Sequence, residues 1–105
     1  MTIPTIHLGD GLEVSQRGFG GMALSHVYGD VNEEQAERTL HAAIDCGITF
    51  IDTANVYGKP RPGTTGPAGT NEELVGRVLA SRRDEVQLAT KFGITGLSNN
   101  PETRV

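Results

Sequence analysis

Gly47-Ile48-Thr49-Phe50-Ile51-Asp52-Thr53-Ala54-Asn55-Val56-Tyr57-Gly58 is the stretch on which the fold turns. Gly47 suits the left-handed conformation that stops a helix, and Ile48 to Asp52 is a β-branched and aromatic run that reads as a buried strand. The strand ends on a carboxylate, and Tyr57 follows in the loop beyond it. Parallel sheets keep their chemistry at or just past this carboxyl end, so both residues are candidates for a site.

Working outward, Asn32 offers an N-cap oxygen, Gln35 stands at the answering position, and Glu33 and Glu34 suit the positive end of a helix dipole. Ala36, Leu40, Ala43 and Ile44 form one apolar stripe, which predicts a helix stopping at Gly47. On the other side, Thr70-Asn71-Glu72-Glu73 reads as a capping box. It opens a helix with Leu74, Val75, Val78 and Leu79 on one face and Arg82-Arg83 at its end. Val86 to Lys91 is a further strand, ending on a cation. Upstream, Thr5-Ile6-His7-Leu8 and Glu13-Val14-Ser15-Gln16-Arg17 predict a hairpin over residues 5–17, with Asp10-Gly11 in its turn. Met22-Ala23-Leu24 reads as a short buried strand. The order hairpin, β, α, β, α, β with short connections implies a parallel sheet with right-handed crossovers. Residues 58–69, rich in glycine and proline, read as a mobile loop, and Gly96 to Val105 as a frayed polar tail. Cys46, Phe19 and Phe50 read as packed residues, and His41 as a solvated one.

The composition fits one small folded unit: 105 residues, 36% hydrophobic and 21% charged, exclude a disordered segment. A net charge of −4 without any lysine or arginine run excludes an electrostatic nucleic-acid binder and a polybasic membrane anchor. The apolar runs are short and the N-terminus lacks a secretory pattern, so the expected location is cytoplasmic. Neither a Walker loop nor a Cys/His metal spacing occurs, and no metal is expected.

If the strands carrying Asp52 and Lys91 are neighbours, their last side chains lie at one height about 5 Å apart, within pairing distance. Tyr57 can fold back onto them. A phenol with a pKa near ~10 becomes a useful proton donor at neutral pH when an ammonium stabilises its phenolate. Lys91 supplies such an ammonium, and Asp52 would fix and balance it. On spacing alone, a structural ion pair beside an unrelated loop tyrosine accounts for the pattern equally well.

The stretch from Gly47 to Gly58 resembles the catalytic signature of the aldo-keto reductases, and Leu88-Ala89-Thr90-Lys91-Phe92-Gly93 resembles their third-strand lysine motif. Asn71-Glu72-Glu73-Leu74-Val75-Gly76 and Arg82-Arg83-Asp84-Glu85-Val86 also match, most closely the microbial and plant branch that includes pyridoxal reductases. The resemblance implies an eight-stranded TIM-type (β/α)8 barrel with an N-terminal hairpin closing its bottom, of which this chain is the N-terminal portion. It implies NADPH-dependent reduction of an aldehyde or ketone, a small carbonyl substrate. Tyr57 would be the general acid, Lys91 its activator and Asp52 the residue holding Lys91. Gly20, Gly21 and Met22 match the first strand-to-helix turn that lines the cofactor, and Asp52 would touch the nicotinamide end.

Two departures stand out. The family's histidine ending the fourth strand has no match: His7 lies in the hairpin, His41 on a helix, and His26 in the first top loop, where it reads more readily as a loop residue than a substrate contact. Close relatives also pass from Tyr-Gly to the Thr-Asn-Glu-Glu cap in very few residues, whereas Lys59 to Gly69 intervene here, as a lid or a tolerated insertion. Gly18-Phe19-Gly20-Gly21-Met22-Ala23 fits a loose dinucleotide fingerprint, but the helix it should open is delayed to Asn32.

A (β/α)8 barrel takes about 250 residues, and a hairpin plus three units of about 30 residues accounts for nearly this whole chain. The expectation is a truncated reductase that self-associates through exposed strand edges. Two other readings are a non-enzymatic fragment that binds a partner chain and a small nucleotide-binding α/β domain using Gly18 to Ala23. On the truncated reading, the purified 105-residue chain given NADPH and aromatic aldehydes or pyridoxal shows little or no loss of NADPH absorbance. Turnover near that of full-length relatives would contradict it.

Overall fold

The computed structural model describes residues 3–25, 32–59, 62–64 and 67–93. The hairpin pairs β1 (Thr5–Leu8) with β2 (Leu12–Ser15), Ile6 opposite Val14 and His7 opposite Glu13. Its second strand ends at Ser15, earlier than expected: the Gln16 N–H still donates to the Pro4 carbonyl at 2.7 Å, but proline has no N–H to return the bond. Three parallel strands follow, β3 (Gly18–Gly20), β4 (Phe50–Asp52) and β5 (Gln87–Ala89), in the order β3-β4-β5. Helix α1 (Glu33–Asp45) joins β3 to β4, and α2 (Thr70–Leu79) joins β4 to β5.

The expected strand at Met22-Ala23-Leu24 is a 3₁₀ turn over Gly21–Leu24, and the first parallel strand is the preceding Gly18–Gly20. An apolar run is compatible with either conformation; here close approach decides. A Cβ on Gly21 would lie 2.7 Å from the Asp52 carbonyl oxygen, so the chain packs end-on against β4 and leaves the sheet there. Leu24 still reaches the core, but from the turn.

Helix α1 begins as its sequence dictates, with Asn32 Oδ1 accepting from the Gln35 amide at 3.2 Å, and Gly47 at φ +104° follows its end. Ala36, Leu40 and Ile44 are buried. Helix α2 departs from expectation at both ends. Its N-cap is Gly69, at φ +68°, and the Thr70 hydroxyl donates to the Lys59 carbonyl at 2.9 Å instead of capping. The helix stops at Leu79, short of Arg82. The Arg82 guanidinium bonds Asp45 at 2.6 Å, Glu85 at 2.9 Å and the His41 carbonyl at 3.3 Å, joining the ends of both helices. Glu85 and then Asp45 hold the Arg82 pKa above its ordinary range. His41 is therefore a half-buried partner of Arg82, and Cys46, beyond the apolar stripe, is exposed.

The core lies between the sheet and the two helices: Ile51 from β4, Leu40 and Ile44 from α1, Leu74, Val75, Val78 and Leu79 from α2, with Val86 and half-buried Phe19 beside them. Phe50 is also half-buried. The hairpin docks on the entry to β4 through reciprocal bonds: Ser15 N–H donates to Thr49 Oγ1 at 2.7 Å and Thr49 N–H to Ser15 Oγ at 2.8 Å. That is the end of the sheet opposite Asp52.

Leu40 is fully buried. Leu40→Ala is expected to lower unfolding free energy by about 2–5 kcal/mol, read by urea titration, whereas Cys46→Ser stays within about 0.5 kcal/mol of the parent.

Candidate active site

The register of the sheet sets the site. Asp52 lies opposite Gly20 on one side and Ala89 on the other. The ladder runs on past the strand ends, the Thr53 N–H donating to the Ala89 carbonyl at 2.8 Å and the Asn55 N–H to the Lys91 carbonyl at 3.1 Å. Lys91 is thus two residues beyond the partner of Asp52, and the equal-height expectation is corrected: the long lysine side chain reaches across that offset. Its Nζ lies 2.8 Å from each Asp52 carboxylate oxygen and 2.7 Å from the Thr53 carbonyl oxygen. The two side chains are 46% and 45% exposed, which leaves the pair open to a ligand from above.

Tyr57 is brought to the same place. Its N–H donates to the Ala54 carbonyl at 3.1 Å, a tight turn that folds the loop back, and its ring centroid lies 5.1 Å from Lys91 Nζ. Gly58, at φ +99°, follows, and a Cβ there would overlap Thr70 Oγ1. Burial pulls the Lys91 pKa down, but the bonds to Asp52 and the neighbouring Tyr57 hydroxyl outweigh it and raise the pKa above the ordinary lysine value.

Gly20 and Gly21 end β3 beside Asp52. Gly20 is exposed, and a Cβ on it would meet no atom of the described residues within 4 Å. Gly21 is buried and Met22 half-buried. Exposed backbone with open space, next to a carboxylate at a strand end, suits a flat ring laid against the chain.

Two residues that the sequence did not single out for the site stand behind it. Thr53, 1% exposed, supplies the carbonyl that accepts from Lys91, and its hydroxyl donates to Asn71 Oδ1. Asn71, 0% exposed, donates through Nδ2 to the Gly21 carbonyl and to Ser25 Oγ, both at 2.8 Å. Its place in a family-like stretch is the only sequence signal, and as a first-turn residue it reads as part of a cap.

His7 pairs with Glu13 at 3.3 Å on the hairpin, and His41 faces Arg82, so neither stands at this end of the sheet. His26 lies outside the described residues, as does the tail from Gly96. The loop after Tyr57 is tied at its base: the Gly69 N–H donates to the Asn55 carbonyl at 2.7 Å and the Asn71 N–H to the Tyr57 carbonyl at 3.2 Å. Ala68 is 8% exposed, so the stretch read as a mobile loop is packed at its end.

Comparison with known proteins places this geometry. The model of the aldo/keto reductase family matches residues 18–104. The chain is 43% identical over 95 residues to probable aldo-keto reductase 1 of Glycine max, covering 88% of this chain and 25% of that protein. It is 41% identical over 105 residues to the aldo-keto reductase yakc [NADP(+)] of Schizosaccharomyces pombe, covering 98% and 27%. Among solved structures, the holo form of aldo-keto reductase AKR11C1 from Bacillus halodurans superposes with a TM-score of 0.70 at 34% identity, over 88% of this chain and 26% of that one. The chain thus spans about a quarter of the length of these relatives. Hairpin, three parallel strands and two helices are the first part of their (β/α)8 barrel, and the chain belongs to the aldo/keto reductase family.

Proposed function

We propose that the protein carrying this chain reduces an aldehyde or ketone to an alcohol, with NADPH as the reductant and Tyr57 as the acid. The observation that carries this reading is the Lys91 ammonium, gripped by Asp52 at 2.8 Å with the Tyr57 ring 5.1 Å away. Gly20, Gly21, Met22 and Asp52 would hold the nicotinamide end of the cofactor, a choice supported by the open space over Gly20 and by the NADP(+) in the name of the fission-yeast relative. When bound, NADPH supplies the hydride that reaches the carbonyl carbon.

The chain's own residues handle the proton. The Tyr57 hydroxyl donates to the substrate's carbonyl oxygen and gives up its proton as that oxygen becomes negative, and solvent later restores the phenol. The Lys91 ammonium stabilises the phenolate left behind. Asp52 and the Thr53 carbonyl keep the ammonium in place, and the carboxylate balances its charge. The barrel strands described here are three, so activity is assigned to the complete eight-stranded barrel, in the cytoplasm. The isolated chain, with the outer edges of β3 and β5 unpaired among the described residues, self-associates.

General acid catalysis is typically worth about 10²–10⁴ in rate. In the complete reductase, Tyr57→Phe is therefore expected to lower kcat by about that factor while NADPH binding, read by fluorescence, persists. Retained kcat would sink the reading.

The raised Lys91 pKa also sets a pH dependence. A raised folded-state value means the pair's stabilisation is fully present below lysine's ordinary pKa and is lost as pH rises through the folded value. For a half-exposed pair that contribution is about 0.2–1 kcal/mol. Thermal unfolding from neutral pH into the alkaline range should show this loss in the parent, and Asp52→Asn, which takes away the main cause of the raised value, should shrink it.

A further inference from the structure

Asn71 is the second residue of α2 and is wholly buried. An amide side chain has two N–H donors and an oxygen acceptor, and all are used. Nδ2 donates to the Gly21 carbonyl and to Ser25 Oγ, both at 2.8 Å, and Oδ1 accepts from Thr53 Oγ1. The main-chain N–H donates to the Tyr57 carbonyl at 3.2 Å. One residue therefore bonds the turn after β3, the segment after β4 and the loop that bears Tyr57.

Each bond lands one step from a group of the site. Gly21 belongs to the turn that would lie under the nicotinamide, and its Cα is packed so closely on the Asp52 carbonyl that a Cβ would sit at 2.7 Å, with Asn71 Oδ1 at 3.4 Å. Thr53 is the residue whose carbonyl accepts from Lys91 Nζ at 2.7 Å. A side chain kept only to fill space would not need three polar partners in two other segments. A carboxylate in its place has no donor for the Gly21 carbonyl, and a leucine leaves that carbonyl and the Thr53 hydroxyl without the partner they have here.

We propose that Asn71 is a positioning residue with two separable arms. One sets the Gly21–Ser25 turn at the height the cofactor needs, and the other holds Thr53 so that its carbonyl steadies the Lys91 ammonium. The proposal rests on the reductase reading above. It gives the two arms different kinetic signatures, because one acts on cofactor affinity and the other on the proton-transfer step.

The test uses the complete reductase, with NADPH binding read by fluorescence titration and kcat read against pH. Wild type that neither binds NADPH nor reduces a carbonyl compound removes the reductase reading itself, and with it the basis of the proposal. Given an active wild type, Ser25→Ala cuts the far bond of the first arm and should weaken NADPH binding by about threefold to tenfold with kcat unchanged. Thr53→Val cuts the second arm and should lower kcat and shift its pH profile while NADPH affinity holds, and Thr53→Ser should restore both. Asn71→Ala should combine the two effects. Variants that lose thermal stability but keep wild-type NADPH affinity and pH profile when folded would overturn the proposal. Ser25 and Thr53 decide the matter even where Asn71→Ala fails to fold.

Discussion

A lysine ammonium can donate three hydrogen bonds, and Lys91 finds its three acceptors at one strand end: both oxygens of Asp52 and the carbonyl of Thr53. The site depends on this convergence. Two acceptors belong to a side chain and one to the backbone, so the ammonium is located relative to β4 itself. β4 in turn is the central strand, with β3 and β5 on its flanks, and Ile51, just below the carboxylate, is wholly buried between sheet and helices. A half-exposed ion pair contributes little stability by itself. Its role here is placement, and the packed layer beneath supplies the rigidity.

Close backbone approach extends that placement sideways. Gly21 abuts the Asp52 carbonyl, and Gly58 lies where a Cβ would strike Thr70. Both glycines let a segment come within contact distance of its neighbour, and both contacts lie next to Asn71, which ties the segments with side-chain and main-chain bonds. Thr90 adds a bond from the other flank, its hydroxyl donating to Glu72 of α2 at 2.7 Å. The start of α2 is thus linked to the connections that follow all three parallel strands.

Asp52, Tyr57 and Lys91 were legible in the sequence because a polar group at or just past the end of an apolar run is conspicuous, and the carboxyl ends of parallel strands face one way; the two-residue offset between Asp52 and Lys91 was not, since it depends on the register. Asn71 was hidden for the opposite reason. Any first-turn asparagine looks like a cap, and its burial arises only when two distant segments close over it. The same limit explains Met22-Ala23-Leu24, whose apolarity is shared by strand and 3₁₀ turn, and Arg82, a helix-end cation by pattern that is drawn by Asp45, thirty-seven positions away, into a clamp. Cys46 was misplaced by its residue type: cysteine is usually buried, but here it stands past the last buried turn of α1.

The stretch between Tyr57 and α2 is closed at its base. The chain leaves at Asn55 and Tyr57 and returns at Gly69 and Asn71, and the two main-chain bonds at 2.7 and 3.2 Å close the base of the loop. Loop-closure entropy grows only logarithmically with length, about 0.6 kcal/mol per doubling. Extra residues above a bonded base therefore cost little and transmit little strain to Tyr57. The position of the phenol is set below the loop, by the turn onto Ala54 and by the amide of Asn71, so the loop's length and composition are free to answer to whatever approaches the rim.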